Sequence, residues 1–90
     1  MAGARLKLRS GSIEWRNVEG EIVALDLRRS VYLAVNKTGA VLWPALVDGA
    51  SRPELVARLC EAFEIEDEVA IADVDAFLAE LAEQELLEEV

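Results

Sequence analysis

The chain is predicted to be an α+β protein in which a three-stranded antiparallel sheet is followed by three helices. Apolar residues alternate with a period of two as far as Val35, and from Asn36 onward they recur with a helical period of 3.6. The β-like runs are joined by short connections, which makes their order a meander.

Arg5 to Arg9 alternates charge with Leu6 and Leu8, and Ser12 to Arg16 alternates through Ile13 and Trp15. Gly11 separates the two, so one bent strand and two short strands both fit. Asn17-Val18-Glu19-Gly20 reads as a turn into Glu21 to Leu27, which places Val23, Leu25 and Leu27 on one face and Ile22, Ala24 and Asp26 on the other. Arg28-Arg29-Ser30 then makes a three-residue link to Val31-Tyr32-Leu33-Ala34-Val35. This last strand of the meander is expected at a sheet edge.

Asn36 or Thr38 can cap a first helix running to about Val47, with Val41, Leu42, Leu46 and Val47 as its apolar positions. Pro44 falls inside it, which calls for either a kink or a late helix start that puts Pro44 in the first turn. Asp48-Gly49 ends the segment as a glycine cap. Ser51-Arg52-Pro53-Glu54 is a capping box with proline in the first turn, and Leu55, Val56, Leu59, Cys60 and Phe63 follow at helical spacing. The third helix runs from about Asp67 to Gln84 with the stripe Val74, Phe77, Leu78, Leu81, and Leu86-Leu87 forms an apolar tail.

Composition narrows the function. At 90 residues and 53% apolar, the chain reads as a single compact domain over residues 1–90, burying about two-thirds of the surface its unfolded form exposes. The longest apolar run, from Gly39 to Val47, is too short to span a membrane. The N-terminus lacks the apolar region of a secretory signal, which leaves the cytoplasm as the expected location. A single cysteine excludes an internal disulfide; mid-helix on an apolar stripe, Cys60 reads as a buried structural thiol.

Histidine is absent, which removes the usual general base and the commonest metal ligand together. No glycine-rich phosphate loop and no calcium-loop spacing of carboxylates occurs. No catalytic residue, metal site or cofactor is therefore assigned, and the chain is not expected to be an enzyme. Residues 1–37 carry seven Lys/Arg against four Asp/Glu, whereas Thr38 onward carries two against fourteen. Such an acidic helical half repels phosphate backbones, which counts against nucleic acid as a ligand. Its remaining readings are a solvated helix surface or attraction of a basic partner.

Val31 to Val35 contains no proline, glycine or charge. An edge strand with those properties is either covered by another element or left open to receive a strand from another chain. In the open case the third helix supplies side-chain pockets beside it; Phe77 fits equally as plain core or as pocket wall.

These segments resemble a known family. Leu25-Asp26-Leu27, Val31-Tyr32-Leu33-Ala34-Val35-Asn36 and Gly39-Ala40-Val41-Leu42-Trp43 are similar to the hairpin and first helix of the PqqD-like family, whose members bind the leaders of ribosomally made, modified peptides. Asp48-Gly49, Ser51-Arg52-Pro53-Glu54-Leu55 and Asp73-Val74-Asp75-Ala76-Phe77-Leu78, with Leu81 and Leu86-Leu87, match its second and third helices in order. The match spans roughly residues 12 to 88. Three departures stand out: Ser30 where the family commonly has glycine, Val35-Asn36 for the usual Leu-Asn pair, and Pro44 in the first helix.

The resemblance implies a winged-helix-like domain whose third strand takes the leader antiparallel, in the groove it forms with the third helix. It assigns Val31, Tyr32, Leu33, Ala34 and Val35 as main-chain partners and Val69, Asp73, Val74, Phe77 and Leu81 as pocket residues, with Asp73 suited to a leader Lys or Arg. A free-standing chain of this kind is most similar to the leader-binding protein of lasso-peptide pathways, which would hand its precursor to a leader peptidase and a macrocyclase. The nearest sibling serves a radical-SAM maturase, as in pyrroloquinoline quinone synthesis. Two rivals come from other classes. A winged-helix DNA-binding protein fails on the charge of the helical half, and a dimerisation module would pair the edge strand with its own copy.

Overall fold

The computed structural model describes residues 5–9 and 11–89. Its main sheet is an antiparallel meander of β2 (Ile13–Val18), β3 (Glu21–Asp26) and β4 (Val31–Val35), in that spatial order. Glu19 and Gly20 join β2 to β3 with φ of 53° and 85°. Two consecutive left-handed residues make the type I′ turn whose twist matches that of the strands. Asn17 Oδ1 braces it by accepting from the Gly20 N–H at 2.9 Å.

The β3–β4 connection departs from the expected three-residue link, because β3 stops at Asp26 rather than Leu27 and the loop has the four residues Leu27 to Ser30. Asp26 ends the strand: its buried Oδ1 accepts the main-chain N–H groups of Arg28 at 3.0 Å and Arg29 at 3.4 Å, so the side chain folds the loop over itself. Ser30 completes the turn at φ 56°, a left-handed conformation that suits glycine best.

The first segment resolves into two strands, with Gly11 at φ 78° between them. β1 (Leu6–Leu8) leaves the meander and pairs antiparallel with β5 (Leu87–Glu89). The expected apolar tail is therefore a strand. Glu85 at φ 59° turns the chain back after the last helix, Leu86 is fully buried, and Leu87 lands opposite Leu8.

Helix α1 (Lys37–Asp48) is capped by Asn36, whose Oδ1 accepts from the Gly39 N–H at 2.8 Å. It runs through Pro44, which has no N–H for the carbonyl of Ala40 and lies on the exposed side. The late-start alternative is thereby excluded. Its buried stripe is Leu42, Trp43, Ala45 and Leu46; Val41 and Val47, expected among the apolar positions, are half-buried flanks because Trp43 takes the centre. Helix α2 (Arg52–Phe63) opens with both halves of the Ser51/Glu54 capping box. It buries Leu55 and Leu59 and leaves Phe63 exposed. Helix α3 (Asp67–Glu83) buries Ala70, Val74, Phe77, Leu78 and Leu81.

The core forms where the helices cover one face of the meander. Strand alternation directs Ile22, Ala24 and Asp26 inward, and all three are buried. Trp43, Leu42, Leu46, Leu55, Leu59 and Leu86 complete the interior, each contributing about 1.5–3 kcal/mol by burial. Among the described residues no helix is long and apolar enough to cross a membrane.

Candidate functional site

Among the described residues β4 is an edge strand, paired with β3 on one side and with no strand on the other. The register shows which of its main-chain groups are free. Leu27 donates its N–H to the Ser12 carbonyl at 2.9 Å, which places that pair among the hydrogen-bonded positions of the ladder. Bonding alternates along an antiparallel ladder. Residues 21, 23, 25 and 27 of β3 therefore bond toward β2, and Ile22, Ala24 and Asp26 bond toward β4. Their partners are Val35, Leu33 and Val31. The N–H and C=O groups of Tyr32 and Ala34 point away from the sheet, free to pair with another strand.

Beside this edge lies a groove of about 110 Å³ whose walls include Leu33 and Val35 of β4 and Phe77, Glu80 and Leu81 of α3, with Trp43 at its base. Both ends are fastened. Arg28 Nη2 donates to the carbonyls of Gln84 and Glu85, each at 3.2 Å, tying the hairpin to the C-terminal end of α3, where cations are favoured. Arg29 Nη2 adds a 3.0 Å contact with Glu85 Oε2. At the other end Gly39 lets α1 approach: a Cβ there would stand 2.5 Å from Val35 Cγ1 and 2.6 Å from Phe77 Cε1.

The structure gathers part of the expected set. Leu33, Ala34, Val35, Phe77 and Leu81 line one groove. Val31 and Tyr32 share the strand but lie outside the groove wall, and the Tyr32 side chain, 73% exposed, stands on the face of the sheet away from the helices. Val74 is not part of this groove. It is buried and lines the opposite cleft against α2, on the flank of the wide apolar stripe that it shares with Phe77. Val69 and Asp73 precede Phe77 by eight and four residues on the same helical stripe, beyond the groove; Val69 is exposed and Asp73 half-buried.

Asn36, Trp43, Glu80 and Gln84 also line the groove and were not expected. Glu80 and Gln84 continue the Asp73–Phe77 stripe at i+3 and i+7 from Phe77, a spacing visible in the sequence. Trp43 carried no such signal, because its role depends on how α1 crosses the sheet. Its indole N–H is buried without an acceptor, and its ring meets that of Trp15 edge-on at 6.2 Å.

Cys60 corrects the sequence reading. It is half-buried rather than interior, and its S–H donates to Asp67 Oδ1 at 3.3 Å across the α2–α3 cleft. Desolvation, followed by the hydrogen bond to Asp67 and that carboxylate's charge, pushes the thiol above its ordinary pKa. Among the described residues no group of three His, Cys, Asp or Glu side chains could hold a metal ion. Helix α3 contains no Lys or Arg, so it offers nothing to a phosphate backbone.

Residues 21–87 match the family model described as coenzyme PQQ synthesis protein D (PqqD). Two solved structures are similar along nearly the whole chain. One is TbiB1 in complex with the TbiA(beta) leader peptide, 28% identical, covering 91% of this chain and 94% of that one with a TM-score of 0.82. The other is lasso peptide synthetase B1 complexed with the leader peptide, also 28% identical, covering 92% and 96% with a TM-score of 0.78. No curated protein matches the chain.

Proposed function

The chain belongs to the PqqD family, and from that membership we propose that it binds the leader of a ribosomally made precursor peptide as a strand added to β4. The observation that carries this reading is the free edge of β4 set beside a side-chain groove. Tyr32 and Ala34 offer main-chain donors and acceptors, and Phe77 and Leu81 offer an apolar wall alongside. Main-chain pairing supplies affinity, and the groove selects which side chains the added strand carries. The leader runs antiparallel to β4.

Both similar structures are leader-peptide complexes of this fold, which supports a lasso-peptide pathway. In that setting the chain acts as a non-catalytic cytoplasmic adaptor that delivers the precursor to a leader peptidase and a macrocyclase. Within Val31 to Val35 the main-chain contacts fall to Tyr32 and Ala34, whose groups face the open edge, and Phe77 and Leu81 form the pocket. Asp73, Val69 and the newly recognised Glu80 line the path of the leader along α3. Acidic side chains there favour a leader with Lys or Arg at the facing positions.

Titration with the leader of the precursor encoded beside the gene, followed through backbone amide resonances, tests the reading. Shifts should concentrate in β4 and α3. A leader that leaves both unmoved would refute it.

A further inference from the structure

Among the described residues there is a larger hollow than the groove beside β4. It lies between α2 and α3, an open trough of about 1070 Å³ whose floor is Val56, Ala57, Cys60, Ile71 and Val74. Ile71 is 48% exposed. Apolar side chains concentrated in a concavity on a small protein mark a contact surface.

The rim is acidic. Arg52 and Asp75 pair with each other across one end, and among the described residues no ion pair engages Glu61 or Asp67 on the rim. Arg58, the other cation of the helical half, lines a separate hollow with Val41 and Glu61, so it offsets Glu61 on that side and does not line the trough. From Thr38 onward the chain carries fourteen acidic residues against two basic ones, so the field around the trough is negative and attracts a cationic partner. Two helical walls with an apolar floor suit a third helix laid between them.

We propose that the α2–α3 trough docks a basic amphipathic helix of the protein that receives the leader, an identification of the partner that rests on the leader-binding reading above. The two sites use different faces of α3. Ile71 and Val74 look toward α2, whereas Phe77 and Leu81 look toward β4. Leader and partner are therefore held at the same time, as an adaptor requires.

The test uses the intact chain. The probe is a synthetic amphipathic helix of leucine and lysine at helical spacing, and the control is its leucine–glutamate twin. Cys60 is the single thiol of the chain and lies in the trough floor, so its alkylation by iodoacetamide reports occupancy. At about ten times its Kd the lysine peptide should slow alkylation about tenfold and shift the methyl resonances of Val56, Ile71 and Val74. The glutamate twin should do neither, and Ile71→Glu, at an exposed position, should abolish both effects. Leader added to the lysine-peptide complex should leave Cys60 protected. Ile71→Glu should bind leader with unchanged affinity yet slow its processing by the pathway enzyme about tenfold.

The proposal is overturned if neither peptide protects Cys60, if both protect it equally, if leader reverses the protection, or if Ile71→Glu is processed normally. A leader that fails to bind in its own titration would defeat the leader reading instead, with the Cys60 result unaffected.

Discussion

Gly39 and Phe77 approach so closely that a Cβ on the glycine would stand 2.6 Å from Phe77 Cε1. The same atom would stand 2.5 Å from Val35 Cγ1, so the first turn of α1, the edge strand and α3 meet at this point. Gly39 is needed for space, since it sits inside a helix where alanine is ordinarily the better residue. Gly39→Ala should destabilise the protein by about 1–3 kcal/mol through overpacking and weaken leader binding by pushing Phe77 into the groove. Urea unfolding and a leader titration check the two effects; an unchanged midpoint would show that Phe77 yields freely.

The alternation of β4 makes two neighbouring proline substitutions behave differently. Ala34 points its N–H to the open edge, where proline is tolerated in a strand. Ala34→Pro should fold and lose one leader bond, weakening binding about tenfold. Leu33→Pro deletes a bond to Ala24 inside the sheet and should disrupt the hairpin itself. Circular dichroism beside a binding isotherm separates the two, and equal loss of fold in both variants would mean that the edge is assigned wrongly.

Ser30 holds a left-handed conformation at φ 56°, which costs a residue with a Cβ about 1–2 kcal/mol. Ser30→Gly relieves that strain but adds backbone freedom to the unfolded chain. The net expectation is a gain of about 0.5–1 kcal/mol with leader affinity unchanged, read as a higher midpoint in thermal unfolding.

Cys60 should be alkylated more slowly than an unhindered thiol at mildly alkaline pH, because desolvation and Asp67 both hold its proton. Asp67→Asn removes the carboxylate charge and lowers the thiol pKa, so more thiolate is present at a given pH. The rate-versus-pH curve should move to lower pH in the variant, and a curve that stays in place would mean that Asp67 does not govern the thiol.

The elements legible in the sequence are those defined by local chemistry. The Ser51/Glu54 capping box appears where residue type demands it. The cap of α1 is Asn36, of the two candidates Asn36 and Thr38. The turn expected over Asn17 to Gly20 narrows to Glu19-Gly20, because β2 continues through Val18. What escaped depends on contacts distant in sequence. The β1–β5 pairing joins residues 6–8 to 87–89, and no periodicity within either segment announces it. The strand end at Asp26 was hidden because Leu27 continues the apolar alternation while a buried carboxylate overrides it. In the groove, Phe77 and Leu81 follow from the α3 stripe, but Val74 on that stripe turns to α2, because a wide apolar stripe serves two neighbours at once. Trp43 enters the groove only through the crossing of α1 over the sheet.

Amide hydrogen exchange at β4, with and without leader, tests the central claim most directly. Leader at about a hundred times its Kd should slow exchange of Tyr32 and Ala34 by up to about a hundredfold and change Leu33, already bonded to β3, far less. Leader that binds without protecting Tyr32 and Ala34 would contradict strand addition at this edge.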